Sequence, residues 1–375
     1  MAEIHNRVNL WYTLFLSKGR CRVVDRRADL PLLSIVIPNW NGARHLPTCL
    51  DSLRRQTYPR LEVIVVDNAS TDKSPALVRR DYPEVKLIRL DENRGLTGGV
   101  NRGIQLAQGE VIAPLNNDTE AAPGWAEALM TALLDHPDAG MAASKMLLFD
   151  RRDTLHSAGD AYGVDGIPIN RGVWQPDQGQ FDHDEYVWGG CGGAVAYRRV
   201  MLDDIGLFDE DLFMYCEDVD LNWRAQLAGY RCVFAPKAVV YHHLSATGGG
   251  TIASFYTGRN TIWVLVKNYP GELLRRHWRA VAGAQLSIAG DALKAWRGQA
   301  ARARLRGQLA ALLGLPGWLR KRRTVQASRR VSPEAIEQLL VTIPGDRHLA
   351  KPAPAACTGC GTGAPRGPGR RSPEQ

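Results

Sequence analysis

Leu33-Ser-Ile-Val-Ile-Pro-Asn-Trp-Asn-Gly42 decides how this chain is read. An apolar, largely β-branched run stops at Pro38 and passes into a polar turn. This is the pattern of a short strand buried on both faces. The same unit recurs downstream. His45–Gln56 has helical spacing at Leu46, Leu50 and Leu53. Leu61-Glu-Val-Ile-Val-Val66 is a second strand, closed by Asp67-Asn-Ala-Ser-Thr-Asp72. Ser74–Asp81 reads as a helix, Val85–Leu90 as a strand and Gly99–Ala107 as a helix. Val111–Leu115 is a further strand, ending at Asn116-Asn-Asp118. Strand and helix in alternation predict an α/β fold with right-handed βαβ units and a mostly parallel central sheet flanked by helices. Such sheets bind ligands beyond the carboxyl ends of their strands. Polar clusters fall at those ends in succession: Asn39/Asn41, Asp67/Asp72, Asn93/Arg94 and Asn117/Asp118.

After Pro123 the pattern changes. Trp125–Leu134 is a helix and Gly140–Leu148 holds a strand, and residues 150–187 read as irregular loop. Gly189-Gly-Cys-Gly-Gly193 leads into a short strand at Ala194–Tyr197, followed by a short helix at Val200–Ile205. Asp218–Ala228 is a helix ended by Gly229. Cys232–Phe234 and Ala238–Tyr241 read as two strands bracketing Pro236, with His242 and His243 beyond. From Tyr256 the pattern is helical, and Pro316 is expected to break it. Four regions follow: an N-terminal extension (1–31), a catalytic domain (32–270), a basic helical region (271–342) and a Pro/Gly/Ala-rich tail (343–375) expected to be disordered.

Charge is uneven. The chain carries +8, yet residues 271–330 hold 14 Lys/Arg against Glu272 and Asp291, a local +12 that leaves the rest at −4. Seven cysteines at irregular spacing imply reduced thiols and a cytoplasmic protein. Cys357-Thr-Gly-Cys360 has metal-type spacing but no second pair. Val8–Leu16 is too short for a secretory core, and no run approaches the ~20 apolar residues of a membrane span. A Trp- and Leu-bearing basic helix either lies on an anionic membrane surface or packs on the catalytic domain with a solvated basic face. Nucleic-acid binding is not expected, because the body is slightly acidic and carries no recognition motif.

The chemistry concentrates at Tyr215-Cys-Glu-Asp-Val-Asp-Leu-Asn-Trp-Arg224. Three carboxylates at a helix mouth either complement the helix dipole or hold one carboxylate as a base. Asp118, closing a strand, suits a hard divalent cation. His242 offers a nitrogen or is a locally bonded edge histidine. Mn²⁺ accepts both ligand types and Mg²⁺ prefers oxygen. Asp67 could accept the N–H of a pyrimidine base or form an Asx-turn. Gly95, Gly98 and Gly99 would let backbone approach a phosphate or sugar. The fingerprints of dinucleotide and P-loop sites are missing.

Five segments in order resemble the family 2 glycosyltransferases of GT-A fold. They are Ser34–Gly42, Glu62–Asp72, Asn93-Arg-Gly-Leu-Thr-Gly-Gly-Val-Asn101, Pro114-Leu-Asn-Asn-Asp118, and Gly206-Leu-Phe-Asp-Glu210 through Arg224. They are most similar to the rhamnosyltransferase-like branch that builds bacterial surface polysaccharides. The resemblance implies an inverting, metal-dependent hexosyltransferase. Its partners would be a nucleotide-sugar donor (dTDP-rhamnose or a UDP-sugar) and a saccharide or lipid-linked acceptor, at the inner face of the cytoplasmic membrane. Asp218 would be the general base, Asp67 would hold the nucleobase, and Asp118 with His242 would hold Mn²⁺ or Mg²⁺. Pro38, Asn39, Asn41, Asn68, Asp72, Arg94, Gly95, Gly98, Asn101, Asn117, Trp188, Gly190 and Glu217 would line the substrate cleft. Trp223 and Arg224 belong to the same segment and are expected to pack and anchor its helix. Glu217 and Asp220 would raise the proton affinity of Asp218. The metal motif departs from the family at Asn116, where a carboxylate is absent. A nucleotide-sugar pyrophosphorylase would need a Gly-rich basic loop after the first strand, which Pro38–Gly42 lacks. A catalytically silent sugar-binding module would not need Asp118 and Asp218 together.

Overall fold

The computed structural model describes residues 7–9, 12–17, 20–25, 29–243 and 250–342. The tail and its Cys357–Cys360 pair lie outside the described residues. An antiparallel meander of β1 (Arg7–Asn9), β2 (Tyr12–Ser17) and β3 (Arg20–Asp25) comes first. The parallel half of the main sheet follows: β4 (Leu33–Asn39), α1 (Leu46–Arg54), β5 (Leu61–Asp67), α2 (Ser74–Asp81), β6 (Lys86–Arg89), α3 (Gly95–Leu106) and β7 (Val111–Pro114). These strands lie in the order β7-β4-β5-β6, all parallel. β4 is buried along its whole length, as an apolar run between two layers must be.

The second half makes the sheet mixed. It contains β8 (Thr119–Ala121), α4 (Trp125–Asp135), β9 (Ala139–Leu148), β10 (Leu155–Ala158), β11 (Asp160–Tyr162), β12 (Pro168–Asn170), β13 (Tyr186–Val187), β14 (Val195–Arg198) and α5 (Arg199–Ile205). α6 (Glu217–Leu227) and β15 (Arg231–His242) complete it. β14 runs antiparallel between β7 and β9, and β15 runs parallel to β9. The expected loop at 150–187 therefore carries four short strands. They were illegible because each is only two to four residues long.

Three boundaries differ from expectation for identifiable reasons. The two strands expected around Pro236 are one strand, β15. Its register against β9 jumps between Ala235 and Val239, so Pro236 sits in a bulge where its missing N–H costs no ladder bond. α3 begins at Gly95, four residues early. Gly95 has φ +73°, and Asn68 and Asn93 bond the backbone at Arg94 and Gly95, offsetting the poor helix propensity of glycine. α9 (Gln299–Ala327) passes through Pro316. Packing on both sides of the proline holds it. Trp263 donates Nε1–H to Ala311 O and stacks on Trp318 at 4.7 Å. Such a pair stabilises by about 0.5–1.5 kcal/mol beyond its area.

α7 (Thr251–Asn268), α8 (Gly271–Lys294), α9 and α10 (Pro333–Glu337) form the C-terminal helical layer. α7 is its pivot. Trp263, Val264, Leu265 and Tyr269 share one core with Trp188 and Trp223 of the sheet domain. The four described cysteines outside the N-terminal meander, Cys49, Cys191, Cys216 and Cys232, are unpaired.

Candidate active site

The motifs converge where the strand ends meet the mouth of α6. Pro38 from β4, Leu96 and Val100 from α3, Pro114 and Asn116 after β7, Gly192, Phe208 and Glu217 line one small pocket. Around it the polar residues form a bonded frame. Asn39 donates Nδ2–H to Ser74 Oγ at 2.9 Å and accepts from Asn117 Nδ2 at 2.8 Å. Asn41 is left-handed at φ 53°, and its Oδ1 accepts from the N–H groups of Thr71 and Asp72. Asp72 accepts from Ala43 N and from Ser74 N, so it ties two turns together. Asp67 is fully enclosed. Its Oδ2 accepts from Arg89 Nε at 3.2 Å, and its Oδ1 lies 3.5 Å from Asn39 Nδ2.

The Gly-rich segment is also pinned from within. Asn68 donates to Gly95 O at 2.7 Å and accepts from Arg94 N at 2.9 Å. A Cβ on Gly95 would fall 2.5 Å from Phe213 O, and one on Gly98 would meet the Arg94 stem. Asn101 brackets Phe208, accepting from its N–H and donating to its carbonyl. The Arg94 guanidinium is exposed and reaches Glu92 at 3.4 Å. Asn68, Asp72 and Asn101 are thus engaged in the frame, while Pro38 and Glu217 reach the pocket wall.

α6 presents two polar faces. One carries Asp218, Asn222 and Gln226, at four-residue spacing. Asp218 Oδ2 accepts from Gly192 N at 2.7 Å, Asn222 donates to Gly190 O at 3.1 Å, and Gln226 donates to Trp188 O at 2.7 Å. This face grips the whole loop from Trp188 to Gly192. The Trp188 indole is buried against Trp223 at 4.7 Å and Tyr162 at 5.7 Å. The other face carries Asp220 and Arg224. Arg224 donates to Asp220 and to the carbonyls of Ile205, Gly206 and Leu207, so it anchors the helix. Asp220 also accepts from Lys267 and Asn268 of α7.

Burial alone would raise the pKa of Asp220, but Lys267 and Arg224 outweigh it and bring it to about 2. A folded pKa below the unfolded value of about 3.9 means stability that is complete above pH ~4 and lost as pH falls through ~2. Asp220→Ala is expected to cost about 3–5 kcal/mol of unfolding free energy at neutral pH, because it strands buried cations. Urea denaturation should show that gap closing below pH ~4.

The turn before α6 is strained. Phe213, Tyr215 and Cys216 all have φ between 63° and 66°. Non-glycine residues there cost about 1–3 kcal/mol each and need support. Asn260 of α7 supplies it, with Nδ2 within 3.0 Å of the carbonyls of Leu212, Met214 and Tyr215. The turn presents Glu217 and Asp218 side by side. Burial raises the pKa of both carboxyls, and the Asp218 charge pushes Glu217 further. The N–H groups of Gly192 and Val219 work the other way on Asp218 and favour its charged form.

Two groupings could hold a cation. Asp160, Cys191 and Asp218 bring ligand atoms within 4.8 Å of one another. Burial raises the pKa of both Asp160 and Cys191, which works against the deprotonated ligands a cation needs. Asp118 and His242 fit better. His242 Nε2 lies 3.2 Å from Asp118 Oδ1. Adjacent ligands of an octahedral cation, each about 2.1 Å from it, are about 3 Å apart. Asp118 Oδ1 and Glu217 Oε2 are buried with no hydrogen-bond donor. The bulge in β15 sets up this meeting by running His242 alongside Thr119, next to Asp118. On its far side His242 Nδ1 is 3.2 Å from Nδ1 of His156, which burial and then His242 hold neutral, at about 3. A proton on His242 Nδ1 would leave the Nε2 lone pair facing Asp118, the tautomer a cation requires. His243 stacks on Phe149 instead.

Sequence reasoning did not select Gly192, Asn222, Gln226, His156 or Asn260. Asn222 and Gln226 had a visible signal in their four-residue spacing from Asp218. His156 and Asn260 had none, since their partners lie far away in the chain.

A family model for glycosyl transferase family 2 matches residues 34–206. The N-acetylglucosaminyl-diphospho-decaprenol L-rhamnosyltransferase of Mycobacterium tuberculosis is 31% identical over 246 residues, covering 60% of this chain and 80% of that protein. The O-antigen biosynthesis protein RfbC of Myxococcus xanthus is 30% identical over 228 residues, 58% of this chain and 18% of that protein. Among solved structures, GalNAc-T7 with UDP, GalNAc and Mn²⁺ superposes with a TM-score of 0.52 at 19% identity, over 65% of this chain and 49% of the other. Residues 1–349 of S. aureus TarS with UDP-GlcNAc give 0.50 at 18%, over 79% and 91%. The chain belongs to glycosyl transferase family 2. Its fold is GT-A, and its reaction class is sugar transfer from a nucleotide-diphosphate donor to an acceptor.

Proposed function

We propose that the enzyme transfers its sugar with inversion, using Asp218 as the base. One observation carries this reading. Asp218 is half-buried beside the pocket, aimed by the Gly192 N–H at 2.7 Å, with its proton affinity raised by burial. The acceptor hydroxyl oxygen attacks the anomeric carbon and its proton passes to Asp218. The bond from that carbon to the diphosphate breaks on the opposite side. Asp118 and His242 would hold a divalent cation, Mn²⁺ or Mg²⁺. When bound, it would offset charge growing on the leaving diphosphate. In this reading Pro38, Asn39, Asn117 and Arg94 shape the donor side and Gly190 and Glu217 the acceptor side, while Trp188, packed in the core against Trp223, fixes the loop behind them.

The mycobacterial relative is named for rhamnose transfer to a polyprenyl-linked sugar, and the Myxococcus relative for O-antigen synthesis. The first name supports a rhamnosyl donor and a lipid-linked acceptor and the second a saccharide acceptor; we take dTDP-rhamnose or a UDP-sugar as the donor and the inner face of the cytoplasmic membrane as the place of transfer.

A panel of sugar nucleotides, each with Mn²⁺ or Mg²⁺, tests this reading. One donor should be turned over only with a cation, and the product anomer, read by NMR, should be opposite to the donor's. A product of retained configuration sinks the single-displacement reading.

A further inference from the structure

The C-terminal hairpin has one apolar face too many. On α8 the inward side chains are Leu273, Val281, Ala284 and Ala292, and these account for its packing. A helix so packed should turn polar residues to water. Instead Trp278 is 55% exposed, Leu286 72% and Leu293 58%, all on the part of the helix that the core leaves open. Trp296, in the turn beyond, is exposed as well. α9 repeats the arrangement. Ala303, Gly307, Ala311, Trp318 and Val325 face inward, while Leu309, Leu312, Leu313 and Leu319 face out. Among the described residues nothing buries these side chains, because the inward faces are occupied by others.

The charge around these exposed residues identifies what covers them. Arg275 and Arg279 flank Trp278. Arg302 and Arg306 precede Leu309, and Arg320 and Arg323 follow Leu319, all on exposed positions. The two acids of this region are spent within the protein, Glu272 on Arg329 and Asp291 on Lys294, both at 3.1 Å. A second copy of the chain docked face to face would bring two such cationic surfaces together, which like-charge repulsion opposes. An anionic lipid surface complements both components. Phosphates meet the arginines, leucines enter the acyl boundary, and tryptophans sit at headgroup level. Among the described residues no helix is long and apolar enough to cross a membrane, so the hairpin would lie on the surface.

We propose that the outward faces of α8 and α9 form a docking surface for anionic membrane lipid. Behind this surface, on the inward side of α9, a line of contacts runs toward the base through α7. Gly307 of α9 abuts the Phe255 backbone of α7, and the adjacent Tyr256 stacks on Phe213 in the strained turn before Asp218. The docking itself stands apart from the transfer chemistry and is measured without donor.

The test is co-sedimentation of the full chain with vesicles of phosphatidylcholine alone or with about 30% phosphatidylglycerol. Binding to the anionic vesicles should exceed binding to the neutral ones by at least about tenfold and weaken in ~0.5 M salt. A Trp278→Ser, Leu286→Ser, Leu293→Ser variant should bind at least about tenfold more weakly with an unchanged melting temperature, since these residues support no core. Wild-type protein left in the supernatant with anionic vesicles overturns the proposal, as does a triple variant that binds undiminished. A concentration-dependent dimer dissolved by the same substitutions also overturns it, by giving the face to a second copy.

Discussion

Asp218→Asn is expected to lower kcat by about 10²–10⁴-fold, the usual contribution of a positioned base. Donor KM should stay nearly constant. The amide keeps the shape of the carboxylate and still offers an oxygen to the Gly192 N–H, so the loop from Trp188 to Gly192 stays in place. What is lost is the ability to accept a proton, together with the bond that the second carboxylate oxygen accepts from Val219 N. A second readout separates this from a packing effect. Burial raises the Asp218 pKa, so wild-type kcat/KM should climb with pH through an apparent value above the ordinary carboxylate range. The variant should lack that limb. Turnover like that of the wild type in Asp218→Asn would remove Asp218 from the mechanism.

Asp118→Asn is expected to cost about 10²–10³-fold in kcat/KM, equivalent to about 3–4 kcal/mol of lost charge stabilisation. Its Oδ1 is buried without a donor and faces His242 Nε2 at 3.2 Å, so the substitution removes a charge without breaking a hydrogen bond at that atom. Nucleotide binding measured by calorimetry, with and without Mn²⁺, gives the readout independent of turnover. The wild type should show cation-dependent binding and the variant little. Binding that ignores the cation in the wild type would mean that the pair serves another purpose.

Much of the parallel half was legible because its signals are local. Leu33–Ile37 and Leu61–Val66 are apolar runs that only a two-sided burial explains, and their polar ends mark the ligand edge. The antiparallel half was less so. β10 to β13 are too short to show a period, and β14 takes its place between β7 and β9 through partners distant in sequence. Pro236 and Pro316 misled in the same way. Each breaks a local rule, and each is tolerated because tertiary neighbours supply a bulge or a packed flank.

For the site, residue type narrowed the choice and contact decided it. Asn68, Asp72 and Asn101 are the polar residues a ligand edge should carry, yet their atoms bind the backbone of neighbouring turns. Asp220 and Asp218 look alike in sequence, two positions apart on one helix. The helical repeat sends them to different faces, one to Lys267 and Arg224 and the other to the Gly192 loop. The first becomes a low-pKa structural anion and the second a carboxylate of raised proton affinity.

The sequence by itself determined the class of sheet, the edge that carries the polar clusters, the family and a short list of carboxylates, because periodicity and residue type are properties of neighbours along the chain. Only the tertiary structure decided which carboxylate lines the pocket and which bonds the Gly192 loop, which histidine meets Asp118 and which apolar side chains of the basic hairpin stay exposed among the described residues. Those depend on desolvation and on contacts between residues up to more than a hundred positions apart, and neither exists until the chain has folded.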